Sequence, residues 1–207
     1  MEPKIEWLGH DSFRLTGERT VYVDPWKISN AAHDADVILI THDHFDHFVM
    51  EDIDKVRNET TLVIGPEMIR GKVEGNVMLV RRGDSLDANG VPLEVVAAYN
   101  LHPDRQNFHP NHYGGVGYIV TLHGKRIYHT GDTDPIPEMK NVKCDIMLVP
   151  VSGTYVCTAD EAVEAVAMVN PPLAIPMHWG DIVGSWEDAN AFKAKVNVPV
   201  EILSKVS

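Results

Sequence analysis

The run Val37-Ile-Leu-Ile-Thr41 is continuously apolar or β-branched, and it passes without a spacer into His42-Asp43-His44-Phe45-Asp46-His47. A strand with no polar face has to be buried on both sides, so it belongs to the interior of a sheet covered by other layers. The residues that follow it then emerge at the end of that sheet. Three imidazoles and a carboxylate placed there send alternate side chains toward two neighbouring metal ions. His42 and His44 suit one ion, and Asp46 and His47 suit the other. The solubility of a polar loop requires no such order of residues.

Similar short runs recur along the chain, at 4–8, 12–15, 20–23, 37–41, 61–64, 77–80, 93–98, 116–122, 126–129, 145–150, 173–176 and 200–203. They predict about a dozen strands. Thr16-Gly17-Glu18 and His123-Gly124-Lys125 read as hairpin turns, and Asn89-Gly90 is a strong turn dipeptide. Helical patterns are fewer: 49–58, a single turn at 66–70, 159–170 behind a Thr158-x-x-Glu161 capping box, and 185–196. Buried strands followed by helices, with hairpins near the start, predict a layered mixed α/β domain spanning 1–207, without linker or repeat.

Two further strands end in ligand-type residues. Arg126-Ile-Tyr-His129 leads to Thr130-Gly131-Asp132, where glycine permits close backbone approach and Asp132 can bridge two cations through its two oxygens. Leu173-Ala-Ile-Pro-Met177 leads to His178-Trp179-Gly180. With the 42–47 run, these place three strand ends on one rim of the sheet. Residues 99–115 have no regular period and hold Asn100, His102, His109 and His112. A loop of that length within a compact domain is expected to be functional.

Lys plus Arg number 18 against 30 Asp plus Glu, a net charge of −12. Such a chain repels polyanions, so nucleic acid is not an expected partner. Apolar residues come in bursts of four to six, far from the roughly 18 needed to span a bilayer, so no membrane partner is expected either. The first residues show no basic region followed by an apolar stretch, and the two cysteines form no Cys-x-x-Cys pair. A cytoplasmic location is expected.

The order His-x-His-x-Asp-His, Gly-Asp and a final His resembles the metallo-β-lactamase superfamily. Trp7-Leu-Gly-His-Asp-Ser-Phe13, Val23-Asp-Pro-Trp26, Phe108-His-Pro110, His129-Thr-Gly-Asp-Thr-Asp134 and Pro176-Met-His-Trp-Gly180 are similar, more closely, to the metal-dependent hydrolases grouped with L-ascorbate-6-phosphate lactonase. The resemblance implies an α/β fold, a four-layer αββα sandwich with mixed sheets and a two-metal site at its edge. Carried over, His42 and His44 hold the first ion, Asp46, His47 and His178 the second, and Asp132 bridges them. Many superfamily members have a His for the first ion where this chain has Tyr99-Asn100. Asn100 or a loop His must then serve, and His109 is the choice over His102 and His112. His10 and Asp24 resemble residues that face or support the pocket, and Trp179, beside His178, is expected to wall it.

The expected chemistry is hydrolysis, with a metal-activated hydroxide attacking a lactone, ester or phosphodiester bond of a small polar metabolite. Asp46 and Asp132 are the expected catalytic carboxylates, and His102, His112 or Asp134 the candidates for protonating the leaving group. The cofactors expected are two divalent ions, zinc first, with manganese, iron and nickel also compatible with such ligands. The alternatives are a non-hydrolytic metal-binding or regulatory module, and a nuclease or redox member of the superfamily. Self-association into a homo-oligomer is compatible with all of these.

Overall fold

The computed structural model describes residues 1–206. Among these, the strands are β1 (Lys4–Gly9), β2 (Ser12–Thr16), β3 (Thr20–Val23), β4 (Val37–Leu39), β5 (Leu62–Pro66) and β6 (Val77–Val80), then β7 (Ser85–Ala88), β8 (Val91–Ala97), β9 (Val116–Leu122), β10 (Lys125–His129), β11 (Ile146–Pro150) and β12 (Leu173–Met177). The α-helices are α1 (Met50–Val56), α2 (Ala159–Val169) and α3 (Trp186–Lys195).

The strands form two six-stranded mixed sheets, ordered β1-β2-β3-β4-β5-β6 and β12-β11-β10-β9-β8-β7. The first is antiparallel from β1 to β3 and parallel from β3 to β6. The second is antiparallel from β7 to β10 and parallel from β10 to β12. Side chains alternate between faces along a strand, and β4 shows what this does to an all-apolar run. Val37 and Leu39 enter the core shared by the two sheets, whereas Ile38 and Ile40 pack with Ile53 and Val56 on the α1 side. Packing of α2 against β11 and of α3 against β12 covers the far face of the second sheet. The layers are therefore αββα, as the resemblance implied.

Local chemistry sets the element ends. The Thr158 hydroxyl accepts the Glu161 amide at 3.2 Å while the Glu161 carboxylate accepts the Thr158 amide at 2.8 Å, closing the capping box of α2. Loss of such a cap costs about 1 kcal/mol. Asn170 turns left-handed at φ 53° and the prolines after it stop the helix.

Some expectations change. Residues 200–203 are not a strand: Val200 makes one isolated bridge to Ala174, since Pro199 brings no amide to extend the ladder. The edge strand β7, Ser85-Leu-Asp-Ala88, carries little strand signal because it is short, polar and partly exposed. The predicted helix at 49–58 is confined to α1, as Arg57 is already extended. The turn at 66–70 is a 3₁₀ turn, Glu67–Ile69. The three ligand-bearing strand ends also do not share one sheet. β4 lies in the first sheet and β10 and β12 in the second, so the site is assembled across the sandwich.

Candidate metal centre

Directly after β4 the chain makes a tight turn, with the amides of His47 and Phe48 bonded to the His44 carbonyl. This turn sends His42, His44, Asp46 and His47 toward the seam between the sheets. Asp132 reaches the same place because Gly131 takes φ 64° and lets the backbone pass where a Cβ would meet the Val116 carbonyl at 2.6 Å. His178 arrives from the end of β12 at φ 59°, and His10 and Asp24 also hold positive φ, at 52° and 45°. Non-glycine residues adopt that region at a cost, which tertiary bonds here offset.

The imidazoles are oriented from behind. His47 Nδ1 lies 2.8 Å from Asp24 Oδ2, His178 Nδ1 lies 2.8 Å from Ser152 Oγ, and His42 Nδ1 lies 3.0 Å from Thr41 Oγ1. His109 Nδ1 is 3.2 Å from Asn100 Nδ2. The opposite nitrogens, Nε2 of His47, His109 and His178, are buried and have no hydrogen-bond partner among the described residues, and neither has Asp132 Oδ1. Buried polar atoms are nearly always paired in native folds, so these converging orphans indicate a missing partner.

Their spacing fits a divalent ion. Asp132 Oδ2 is 3.2 Å from His109 Nε2 and 3.4 Å from His178 Nε2, and Asp132 Oδ1 is 3.6 Å from His47 Nε2. Ligands about 2.1 Å from a tetrahedral metal stand about 3.4 Å apart. Donor atoms within 4.8 Å of one another fall into the sets His42-His44-His109, Asp11-His47-Asp132-His178 and His10-Asp46-His47-His178. The last two sets overlap at His47 and His178, and Asp132, a member of one of them, also lies 3.2 Å from His109 of the first set.

Charge is distributed accordingly. Burial opposes protonation of His178, but the carboxylates of Asp132 and Asp11 win and raise it to about 9. For His47 the same contest against burial is won by Asp132 and Asp24, and its basicity rises. Burial would raise Asp132, but His47, His178 and His109 hold it well below the usual carboxylate range. Without metal, protons on His47 and His178 thus compensate Asp132, and metal binding must displace them. Burial lowers His10 and His109 to about 4 each, so both stay neutral and able to donate a lone pair near pH 7.

His10 is fully buried, with Nε2 3.1 Å from Asp46 Oδ2, and Asp24 accepts the Thr41 amide and hydroxyl as well as His47. Asn100 stays behind His109, its amide donating to the Arg105 and Tyr155 carbonyls. His102 is not in the pocket: its side chain is exposed, and its ring accepts the Asp104 amide. Trp179 packs between Trp7 and Trp186 and donates to the Pro176 carbonyl, away from the pocket. Asp134 is not free to protonate a leaving group, because it accepts from Arg105 and from the amides of Leu101 and His102, and His112 sits exposed on a 3₁₀ turn.

Sequence reasoning passed over Asp11, Ser152 and Arg105. Arg105, nearly buried, bonds Asp134 at 2.8 Å and Glu161 at 2.7 Å, tying the His109 loop to the cap of α2. The one signal for Asp11 was its place within Trp7-Leu-Gly-His-Asp-Ser-Phe13, in the turn between two strands of alternating pattern. A cavity of about 270 Å³ is lined by His44, Asp46, His109, Asp132 and His178 together with Phe45, Phe108, Tyr155 and Ile182.

Residues 4–178 match the family described as the beta-lactamase superfamily domain. The chain belongs to the β-lactamase superfamily. Within that superfamily it is 32% identical to a relative from Thermoplasma volcanium named UPF0173 metal-dependent hydrolase, over 86% of this chain and 84% of the relative. A relative of the same name from Methanosphaera stadtmanae is 31% identical over 99% of this chain and 94% of its own. A solved superfamily structure from Parabacteroides distasonis, also described as a metal-dependent hydrolase, superposes with a TM-score of 0.84 at 32% identity, covering 99% and 94% of the two chains.

Proposed function

We propose that this metal-dependent hydrolase cleaves a lactone, ester or phosphodiester bond of a small molecule at a two-ion centre. The observation that carries the reading is the buried, unpartnered set of imidazole and carboxylate donors at the floor of a cavity open to solvent. His42, His44 and His109 would hold one ion, His47, His178 and Asp46 the other, with Asp132 shared. Divalent ions in such a set, when bound, supply an acidified water and an electrophile for the scissile carbonyl or phosphoryl group.

The chain's own groups do the rest. Asp24, Thr41 and Ser152 orient the imidazoles before substrate arrives. Asp46 lies on the cavity wall. Burial opposes its ionisation, but the hydrogen bond from His10 lowers its pKa and keeps it ionised, so its carboxylate can accept a hydrogen bond from the attacking water and orient it. Phe45, Phe108, Tyr155 and Ile182 give the cavity an apolar wall. The volume suits a small molecule, at the lower end of ligand cavities. A substrate with a polar scissile group and an apolar flank fits this better than a uniformly polar metabolite.

Purified protein should contain close to two divalent ions per chain and hydrolyse members of a panel of lactones, aryl esters and phosphodiesters. A chain that takes up no divalent ion would overturn the reading.

A further inference from the structure

Asp11 occupies the turn between β1 and β2, and its side chain is fully buried with both carboxylate oxygens lacking a hydrogen-bond partner among the described residues. An unpaired buried carboxylate is among the heaviest penalties a fold can carry. The turn is nevertheless held firmly. The His10 carbonyl accepts from Trp7 Nε1 at 2.8 Å and from the His178 amide at 3.0 Å, and the Asp11 carbonyl accepts from His129 Nε2 at 2.9 Å. His129 is itself buried, and its Nδ1 accepts the Gly131 amide. Two strand ends of the second sheet and the first strand thus fix the backbone that carries Asp11.

It points at imidazoles. Asp11 Oδ2 lies 3.6 Å from His10 Nε2, 3.7 Å from His47 Nε2 and 3.8 Å from His178 Nε2. These separations are too long for hydrogen bonds. They are the separations of donor atoms arranged around one cation, and Asp11, His47, Asp132 and His178 form a wholly buried set of such donors.

We propose that Asp11 is a further oxygen ligand of the second centre, an inference that rests on the metal-centre reading above. With Asp46 and Asp132 it makes this centre rich in carboxylate, while the first centre, His42, His44 and His109, is rich in imidazole. Imidazole suits zinc, and carboxylate oxygen shifts preference toward harder ions such as manganese. The two centres should therefore differ in metal preference, the second being the more tolerant of manganese.

The test titrates metal-stripped wild type and Asp11→Asn with Zn²⁺ and with Mn²⁺, by calorimetry and chelator competition. Wild type should bind two ions, and Asp11→Asn should keep the first at unchanged affinity while losing tenfold or more at the second, with the larger loss for Mn²⁺. Thermal unfolding of the stripped proteins should show the variant folded and about as stable as wild type, since neither Asp11 oxygen makes a hydrogen bond that the substitution would break. Two ions bound by Asp11→Asn within threefold of wild type would overturn the proposal and leave the metal-centre reading intact, whereas a wild type that binds none would overturn both. Should the variant not fold, a crystal structure of manganese-loaded wild type decides: an Asp11 oxygen about 2.2 Å from the second ion supports the proposal, and one beyond about 3 Å refutes it.

Discussion

The Nδ1–H of His47 is bound by the Asp24 carboxylate at 2.8 Å, which leaves His47 Nε2 facing Asp132 Oδ1 at 3.6 Å. One carboxylate, buried behind the site, thereby sets the tautomer of an imidazole in front of it.

Asp24→Asn should weaken the ion at the second centre about 10- to 100-fold, the usual consequence of losing such a partner. Chelator competition measures it. The first centre should change less, because Asp24 reaches His42 only through Thr41, whereas it bonds His47 directly.

Asp132 is the group that touches both donor sets, so Asp132→Asn should reduce hydrolysis of any identified substrate at least about 1000-fold. Circular dichroism should be unchanged, since the core consists of apolar strand residues. Activity within tenfold of wild type would show that Asp132 does not bridge.

His109→Ala should lower the affinity of one ion selectively and speed proteolysis within 99–115, whereas His102→Ala and His112→Ala should leave stoichiometry unchanged. Arg105→Met should mimic the loosening, because it leaves Asp134 buried without its cation, a change that typically costs about 3–5 kcal/mol.

Stability of the metal-stripped protein should fall on both sides of neutrality. His10 and His109 have folded values near 4, so their contribution is complete above about 6.5 and is lost as pH drops through 4. His178, raised to about 9, contributes fully below about 6.5 and loses that contribution as pH rises through 9. Urea midpoints from pH 4 to 10 check this, and metal should flatten the alkaline limb by replacing the His178 proton.

Phe108 is 43% exposed and stacks edge-on with Tyr155 at 4.8 Å across the cavity mouth. Phe108→Ala should raise KM for substrates with an apolar flank about tenfold while changing kcat little, with small polar esters as controls.

What could be read from the chain alone followed from locality. The strand at Val37 and the ligands behind it are contiguous, so the period of the side chains and the residue types carry both at once. Asp132 and His178 were legible because each follows an apolar run. His109 could be picked only as one imidazole among several, since what brings it in is Arg105 bonded to Asp134 and Glu161, far off in the chain. Asp11 lay inside a quoted motif, but its role did not show for the same reason: its neighbours His47 and His178 are set by how two sheets dock. Trp179, beside a ligand, was drawn into the core by Trp7, a contact between opposite ends of the chain.

The donors are divided between the two halves of the sandwich. His10, Asp11, His42, His44, Asp46 and His47 come with the first sheet, and His109, Asp132 and His178 with the second. If these donors hold metal as proposed, the set contributed by the first sheet is incomplete until the second sheet docks on it, so ordered metal binding would report on the docking of the two sheets.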